Sequence, residues 1–467
     1  MAMKRANTSL AAGFEGSLFG DKRRDERFRS MVATVARCPS GKVSKCFRRP
    51  AEQQGAYDFL EHDRVSAAQV QAVAARATAR LCGEHPFVYL AVDGSSYALT
   101  DMEQTKGFGS IGPRKHGARG LKMMNALALT PDGQTIGMVG QVFWARGAKS
   151  QKGYRALAKR ESVRWHEAVD YAVEALKRDA PETKVHVLAD READASLFMQ
   201  HLLEVGCEFT VRANGNRKVL SGGRRVLVRR HLKKAKALGT YMLELPQRTG
   251  TPSRDATLTI RAAHVVMVMR DHHTQQRKEV PLTVVWALEE DAPRGVEPID
   301  WMLYTTSPAQ SVTDATAALR RYARRWKIED LHKMLKSGGG CVEDSQLRSV
   351  EAVIKWATIH AIVASRAQRL RDLARTDPEA PASTELSEVE IEALVLLKRH
   401  EKRKNETITA TGLPIGRAVR WLGDLGGFTA TGASKKMPGS TVICRGLERV
   451  LEAVLVLEAL RANGEIR

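Results

Sequence analysis

The sequence predicts a mixed α/β core flanked by helical segments at both ends. Two short apolar runs, Phe87–Val92 and Val185–Ala189, each end in an aspartate, and a helical stretch lies between them. The stretch from 213 to about 300 has the alternating texture of β-structure. The segments before 83 and after 311 have helical periodicity instead. At 467 residues the chain is long enough for two or three domains. The expected division is a helical part over 1–83, an α/β part over 84–374 with the β-rich insertion, and a mostly helical part over 375–467.

Taken in order, Asp21 to Arg29 leads into Met31, Val32 and Val35, spaced as on one helix face. Ser66 is a good N-cap, and the Ala-rich run behind it predicts a helix to Leu81. Phe87-Val88-Tyr89-Leu90-Ala91-Val92, closed by Asp93-Gly94-Ser95, reads as a buried strand meeting a turn. Residues 106–122, rich in Gly and basic groups, read as a loop. Met123 to Thr130 and Gln134 to Trp144 form a hairpin around Pro131-Asp132-Gly133. Arg160 to Arg178 is an amphipathic helix, and Val185 to Ala189 a strand ending at Asp190. Asp194 is expected to cap a helix to Val205, before a strand over Phe209 to Arg212. Within the insertion, Thr257–Ala262, Val265–Met269 and Val280–Leu288 are β-like. Trp301 to Thr306 is strand-like, and Ser311 to Leu335 predicts one long helix stopped at Ser337-Gly338-Gly339-Gly340. A helix from Val350 to about Ala374 precedes a Pro-rich linker at 375–384. The last helix carries an apolar stripe, Leu447, Val450, Leu451, Val454, Leu455, Leu457 and Leu460, suited to a core or to self-association.

Charge narrows the function. Lys and Arg number 74 against 53 Asp and Glu, a net of +21. A field that positive attracts polyanions, nucleic acid first and an anionic membrane surface second. The first 50 residues carry 12 basic and 4 acidic groups. Arg212 to Lys236 holds ten basic groups and no acid. The ordinary fate of such runs is a solvated face, but here the excess is local as well as global, which favours DNA contact. No apolar run is long enough for a membrane helix, and none follows Lys4 and Arg5, so neither a spanning segment nor a secretory signal is expected. The six scattered cysteines form no C-x-x-C pair, as expected of reduced thiols in a cytosol. His272-His273 reads as a solvated loop rather than a ligand pair.

The chemistry is expected at the strand ends. A carboxylate there is a common place for function in α/β sheets, and also a common turn residue. Tyr322, Arg325, Glu329, Lys333 and Lys336 recur at 3, 4, 4 and 3 residues, one narrow helix face. Alone, that face also fits a solvated stripe with Arg325–Glu329 and Glu329–Lys333 pairs. Together, Asp93, Asp190 and Glu329 are hard oxygen donors suited to magnesium or manganese. Paired ions of this kind serve in-line phosphoryl displacement.

These residues carry a resemblance. Tyr322-x2-Arg325-x3-Glu329-x6-Lys336 matches the YREK signature of transposases of the insertion-sequence-four family, and the surrounding segment looks like that of the transposon-five type. Asp190-Arg191-Glu192-Ala193-Asp194 is similar to the family's second-aspartate motif. Val92-Asp93-Gly94-Ser95-Ser96 stands where its first aspartate belongs, with Gly94 in place of a more usual polar neighbour. Asp21 to Arg24 with Arg27, then Gly55-Ala56-Tyr57-Asp58-Phe59, resembles its DNA-binding region, and Trp421 to Phe428 its C-terminal part.

The resemblance implies an RNase H-like core. It implies a DDE triad of Asp93, Asp190 and Glu329 holding two Mg2+ ions, with Mn2+ as a substitute. It implies nicking, hairpin formation and strand transfer by a homodimer that pairs two double-stranded DNA ends in a bacterial cytoplasm. It assigns DNA contacts to Tyr322, Arg325, Lys333, Lys336, Trp301, Trp326, Arg212, Arg217, Arg23, Arg24 and Arg27. Core packing is the alternative for both tryptophans. Asn214 replaces a more usual lysine. An RNase H-like nuclease and a catalytically silent repressor are the competing functions.

Overall fold

The structure is a computed structural model, and it describes residues 12–16, 18–112, 117–146, 161–245, 253–270, 277–401, 407–429 and 437–466. His272-His273 and the expected helix start at Arg160 lie outside the described residues.

Among the described residues, four helices come first: α1 (Lys22–Arg37), α2 (Val43–Cys46), α3 (Pro50–Glu61) and α4 (Ala67–Cys82). Asp21 caps α1, accepting from the amides of Arg23 and Arg24. Ser66 caps α4 in a reciprocal box with Gln69. The core strands and helices follow as β1 (Phe87–Ala98), β2 (Gly109–Ser110), β3 (Arg119–Leu129), β4 (Thr135–Trp144), α5 (Val163–Asp179), β5 (Lys184–Ala189), α6 (Ser196–Glu204) and β6 (Glu208–Arg212). The hairpin between β3 and β4 turns at Gly133, whose φ of 84° suits glycine. The basic insertion is ordered as β7 (Lys218–Ser221), β8 (Arg224–Leu227), α7 (Val228–Lys234), β9 (Gly239–Leu245), β10 (Arg254–Arg270) and β11 (Arg277–Leu288). The chain returns through β12 (Asp300–Thr305) to α8 (Val312–Ala323), α9 (Trp326–Ser337) and α10 (Val350–Thr376), and ends in α11 (Glu388–His400), α12 (Ile415–Leu425) and α13 (Ser440–Ala462).

The described strands make one mixed sheet in the order β2-β3-β1-β5-β6-β12-β11-β10-β7-β8, with β4 also on β3 and β9 also on β10. β1, β5 and β6 run parallel, and the pairs on either side are antiparallel. Side chains alternate between faces. Val88, Leu90, Val92, Val187 and Ala189 join a core beneath α5 and α6. Tyr89, Ala91 and Leu188 point the other way, into a core with α9 and α10. Alternation therefore puts Asp93 and Asp190 on the α9 side. A third cluster lies under α8, against β10, β11 and β12.

Five expectations are corrected. The strand from Phe87 does not meet a turn at Asp93: β1 runs on to Ala98, paired with β3 as far as Gly120. The loop expected over 106–122 contains β2 and the start of β3. The long helix from Ser311 is two helices, broken at Arg324–Arg325, where Arg324, Arg325, Lys327 and Ile328 donate to carbonyls three residues back. Asp194 caps no helix: α6 begins after Ala195 without a side-chain cap, and Asp194 is taken by Arg217 and the Asn214 amide. The Pro-rich stretch at 375–384 is no loose linker. Ala382 is buried, its amide donates to the Leu413 carbonyl, and Pro381 bridges Pro414. The stripe on α13 is spent on the chain's own core through Leu447, Val450, Val454 and Leu457, with Leu455 left exposed.

Candidate active site

Register assembles the site. Val92 of β1 is level with Ala189 of β5, so Asp93, within β1, stands beside Asp190, which follows the last residue of β5. Asp93 Oδ1 accepts from the Gly94 amide at 2.8 Å, and Asp190 Oδ1 from the Glu192 amide at 2.8 Å. These short local bonds hold the Asp93 carboxylate within β1 and the Asp190 carboxylate just past the end of β5. Glu329 approaches from α9, which packs Ile328, Leu331, Met334 and Leu335 into the core on that face of the sheet.

Arg325 joins the two elements. Its Nη1 donates to Asp93 Oδ2 at 2.9 Å and its Nη2 to Glu329 Oε1 at 2.5 Å. The guanidinium is buried and its Nε has no hydrogen-bond partner. Burial pushes the Asp93 carboxyl up to about 6, against the pull of Arg325, and the like charges of Asp190 and Glu329 add to the rise. Added positive charge beside such a carboxylate would favour its ionised form. Among the described residues no three His, Cys, Asp or Glu side chains converge closely enough to hold a metal ion; Arg325 bridges Asp93 and Glu329 instead. The donor set nevertheless fits a hard divalent cation, being all carboxylate oxygen.

The other expected residues divide. Tyr322 is 1% exposed and belongs to the apolar cluster under α8, so the face it shares with Arg325 is not a solvated stripe. Its ring meets Trp301 edge-on at 5.8 Å, and the Arg325 guanidinium lies 5.9 Å from its centroid. Trp301 is itself packed in that cluster. Trp326 is 39% exposed. Lys333 is exposed and Lys336 half-buried, further along α9. Arg217 is held by Asp194 Oδ1 at 2.7 Å, and Arg212 donates to the Asp300 carbonyl at 3.2 Å. Arg23, Arg24 and Arg27 sit on α1, which packs on α3, α10 and α13. The Arg27 guanidinium lies over Gly55, where any Cβ would come within 2.5 Å of it.

Two buried groups beside the site escape the sequence reading. Asn125 of β3 stands directly across from Asp93, and His332 lies one turn beyond Glu329. A lone amide in the otherwise apolar run Met123–Leu129 is the signal that could have found Asn125. Burial lowers the His332 imidazole to about 3, with Lys336 and Arg325 adding to the fall, so the ring is neutral.

Two aspartates on adjacent strands, faced by a helical glutamate and by cations, suit the class of phosphoryl-transfer enzymes that work through acidic residues. Residues 7–65 match the family described as Transposase DNA-binding, and residues 161–365 match Transposase DDE domain. The second match takes in Asp190 and Glu329, while Asp93 precedes it. The chain is a DNA-binding transposase with a DDE domain. That domain implies an RNase H-like core, phosphoryl transfer and a divalent metal. No helix of the described residues is long and apolar enough to cross a membrane.

Proposed function

We propose that the chain is a cut-and-paste transposase of the insertion-sequence-four type, with Asp93, Asp190 and Glu329 as its catalytic triad. One observation carries the reading: Asp93 and Asp190 stand side by side, and Glu329 is tied to Asp93 through Arg325. The three carboxylates would hold two magnesium ions, or manganese in their place. Such ions, when bound, activate the attacking oxygen and stabilise the leaving one.

The chain's own groups do the rest. A backbone phosphate competes with the carboxylates for the Arg325 guanidinium, which suits bidentate binding of either. As Arg325 turns to the phosphate, Asp93 and Glu329 are freed of their bridge. Lys333 and Lys336 add charge along α9 for the neighbouring phosphates. Tyr322 and Trp301, packed edge to face, support Arg325 from beneath. Exposed Trp326 is placed to meet a base. The reaction sequence is hydrolytic nicking at the transposon end, attack of the freed 3′-hydroxyl on the opposite strand to give a hairpin, then hairpin opening and strand transfer. It takes place on paired double-stranded ends held by a homodimer, in a bacterial cytoplasm.

The test uses the DNA that flanks the gene, mixed with purified protein with and without magnesium, beside Glu329→Ala. Magnesium-dependent cuts at two inverted ends, hairpin products and an inert variant are the expected outcome. Binding without cutting would mean a repressor, and cutting at no particular site a nuclease.

A further inference from the structure

Asn125 and His332 form a buried polar contact that the reaction itself does not use. Asn125 Nδ2 donates to His332 Nε2 at 3.0 Å. Both residues are buried, and Asn125 Oδ1 has no partner at all. The bond joins the two elements whose spacing matters most. Residues directly opposite on an antiparallel pair share a face of the sheet, so Asn125 is the lateral neighbour of Asp93. His332 follows Glu329 by three residues, so the two lie on neighbouring positions of one side of α9.

Apart from the Arg325 bridge at its N-terminus and the Lys327–Asp372 pair towards α10, α9 meets this core through the apolar side chains of Ile328, Leu331, Met334 and Leu335. Apolar burial holds a helix down but is non-directional, so it sets rotation and axial register weakly. A hydrogen bond between two fixed, dry positions sets both. An apolar pair of the same shape would fill the space without leaving an orphan oxygen, so the polar pair is a poor choice for stability alone.

We propose that Asn125 and His332 are positioning residues, a register pin that sets Glu329 against Asp93. The proposal rests on the triad reading above. It also says that the pin acts through geometry and touches no substrate.

The experiment compares His332→Leu, His332→Gln, His332→Asn, Asn125→Ala and the double variant Asn125→Ala/His332→Leu with the full chain as it exists. Three quantities are read: single-turnover cleavage of end-bearing DNA, affinity for Mn2+ alone from the free-ion spin-resonance signal, and end binding without metal. His332→Leu and Asn125→Ala are expected to slow cleavage about 10- to 100-fold, the scale of an ångström's misplacement. They should also weaken Mn2+ binding and leave end binding unchanged. The double variant should be no slower than either single one. His332→Gln should restore the rate, because its Oε1 accepts near the place of Nε2, and the shorter His332→Asn should not. Wild-type rates and Mn2+ affinity in the folded Leu variant, with only a lower melting temperature, would overturn the proposal. If the Leu variant fails to fold, equal rates for Gln and Asn would overturn it as well. Glu329→Ala, run alongside, separates the two readings. If it cuts normally the triad itself is wrong; if it is inert while His332→Leu is normal, only the pin is.

Discussion

Glu448 is a residue whose charge works against the fold. It lies on α13, and burial raises its carboxyl to about 7, with the like charge of Cys38 and Glu452 adding to the rise and Arg445 opposing it. A folded-state value above the ordinary 4.5 means the native protein binds this proton more tightly than the unfolded chain. The stability it contributes is present below the ordinary value and is lost as pH rises through about 7. A shift of this size is about 3 kcal/mol at full strength, and solvent screening at a half-buried position brings it to about 1–2 kcal/mol. Glu448→Gln is therefore expected to raise the thermal midpoint at pH 8 and to leave it nearly unchanged at pH 4. An equal gain at both values would remove Glu448 from the pH dependence. At this same scale the site was partly legible. Asp93 and Asp190 stood out because each follows a short apolar run; β5 does stop before Asp190, but β1 carries on through Asp93 to Ala98, held by its pairing with β3. Helical spacing placed Tyr322 and Arg325 near Glu329, but a wheel gives an angle and not a neighbour. Tyr322 is buried because β10, β11 and β12 lie under α8, and those strands are up to 68 residues away in sequence. Arg217 pairs with Asp194 across 23 residues, which no local pattern encodes.

The element that matters most is α9, and it is held from a second side by α10. Asp372 is fully buried there. It accepts from Lys327 Nζ at 2.5 Å, from the Thr135 amide and hydroxyl at 3.1 and 2.9 Å, and from Arg371 at 2.9 Å. Arg371 reaches on to Asp330 at 2.7 Å. Lys327 and Asp330 bracket Glu329 in sequence, so this network and the Asn125–His332 bond grip α9 from different directions. Removing one partner of a buried pair leaves the other charge uncompensated, at about 3–5 kcal/mol. Asp372→Ala should lose about that much in urea unfolding, and Asp372→Leu with Lys327→Met should recover part of it, since Arg371 keeps Asp330. If the single variant loses under about 1 kcal/mol, the network is not the anchor that its burial implies. Most elements were readable because each is amphipathic or wholly apolar over its own length; Ser66 caps α4 as expected, and Ser311, taken as the first residue of a helix, caps α8. The break at Arg324–Arg325 was not, because Tyr-Ala-Arg-Arg-Trp contains neither Pro nor Gly and suits a helix. It is imposed from outside, by Arg324 reaching the Pro131 carbonyl and the Tyr89 ring while Arg325 turns to the carboxylates.

Over the whole molecule, helices from both ends of the chain share one apolar core with the sheet face that carries the site. Phe28 and Val32 of α1, Trp356 of α10 and Val450 of α13 all belong to it. Composition suggested a linker at 375–384 because Pro, Ser and Thr are common in loops; it could not show that Ala382 and Pro381 would dock on the segment before α12. Charge is the property that most directly links sequence to function at this scale. The net of +21 is not spread evenly, and much of it is free of internal partners only where side chains are exposed. Arg224, Arg225, Arg230 and Lys233 are exposed on β8 and α7. Arg217 is engaged with Asp194 instead. Binding to duplex DNA releases about 0.9 counterion per phosphate neutralised, so the slope of log affinity against log salt counts the cations in contact. Replacing Arg224, Arg225, Arg230 and Lys233 together by Gln should flatten that slope by about 3–4 and weaken binding most at low salt. Arg217→Ala should leave the slope unchanged and lower stability instead, because its charge is already met within the fold. Fluorescence anisotropy on a labelled end, titrated at four salt concentrations, reads both. An unaltered slope in the fourfold variant would take the insertion out of the DNA interface, and the contacts would then have to come from α1 and the face of α9.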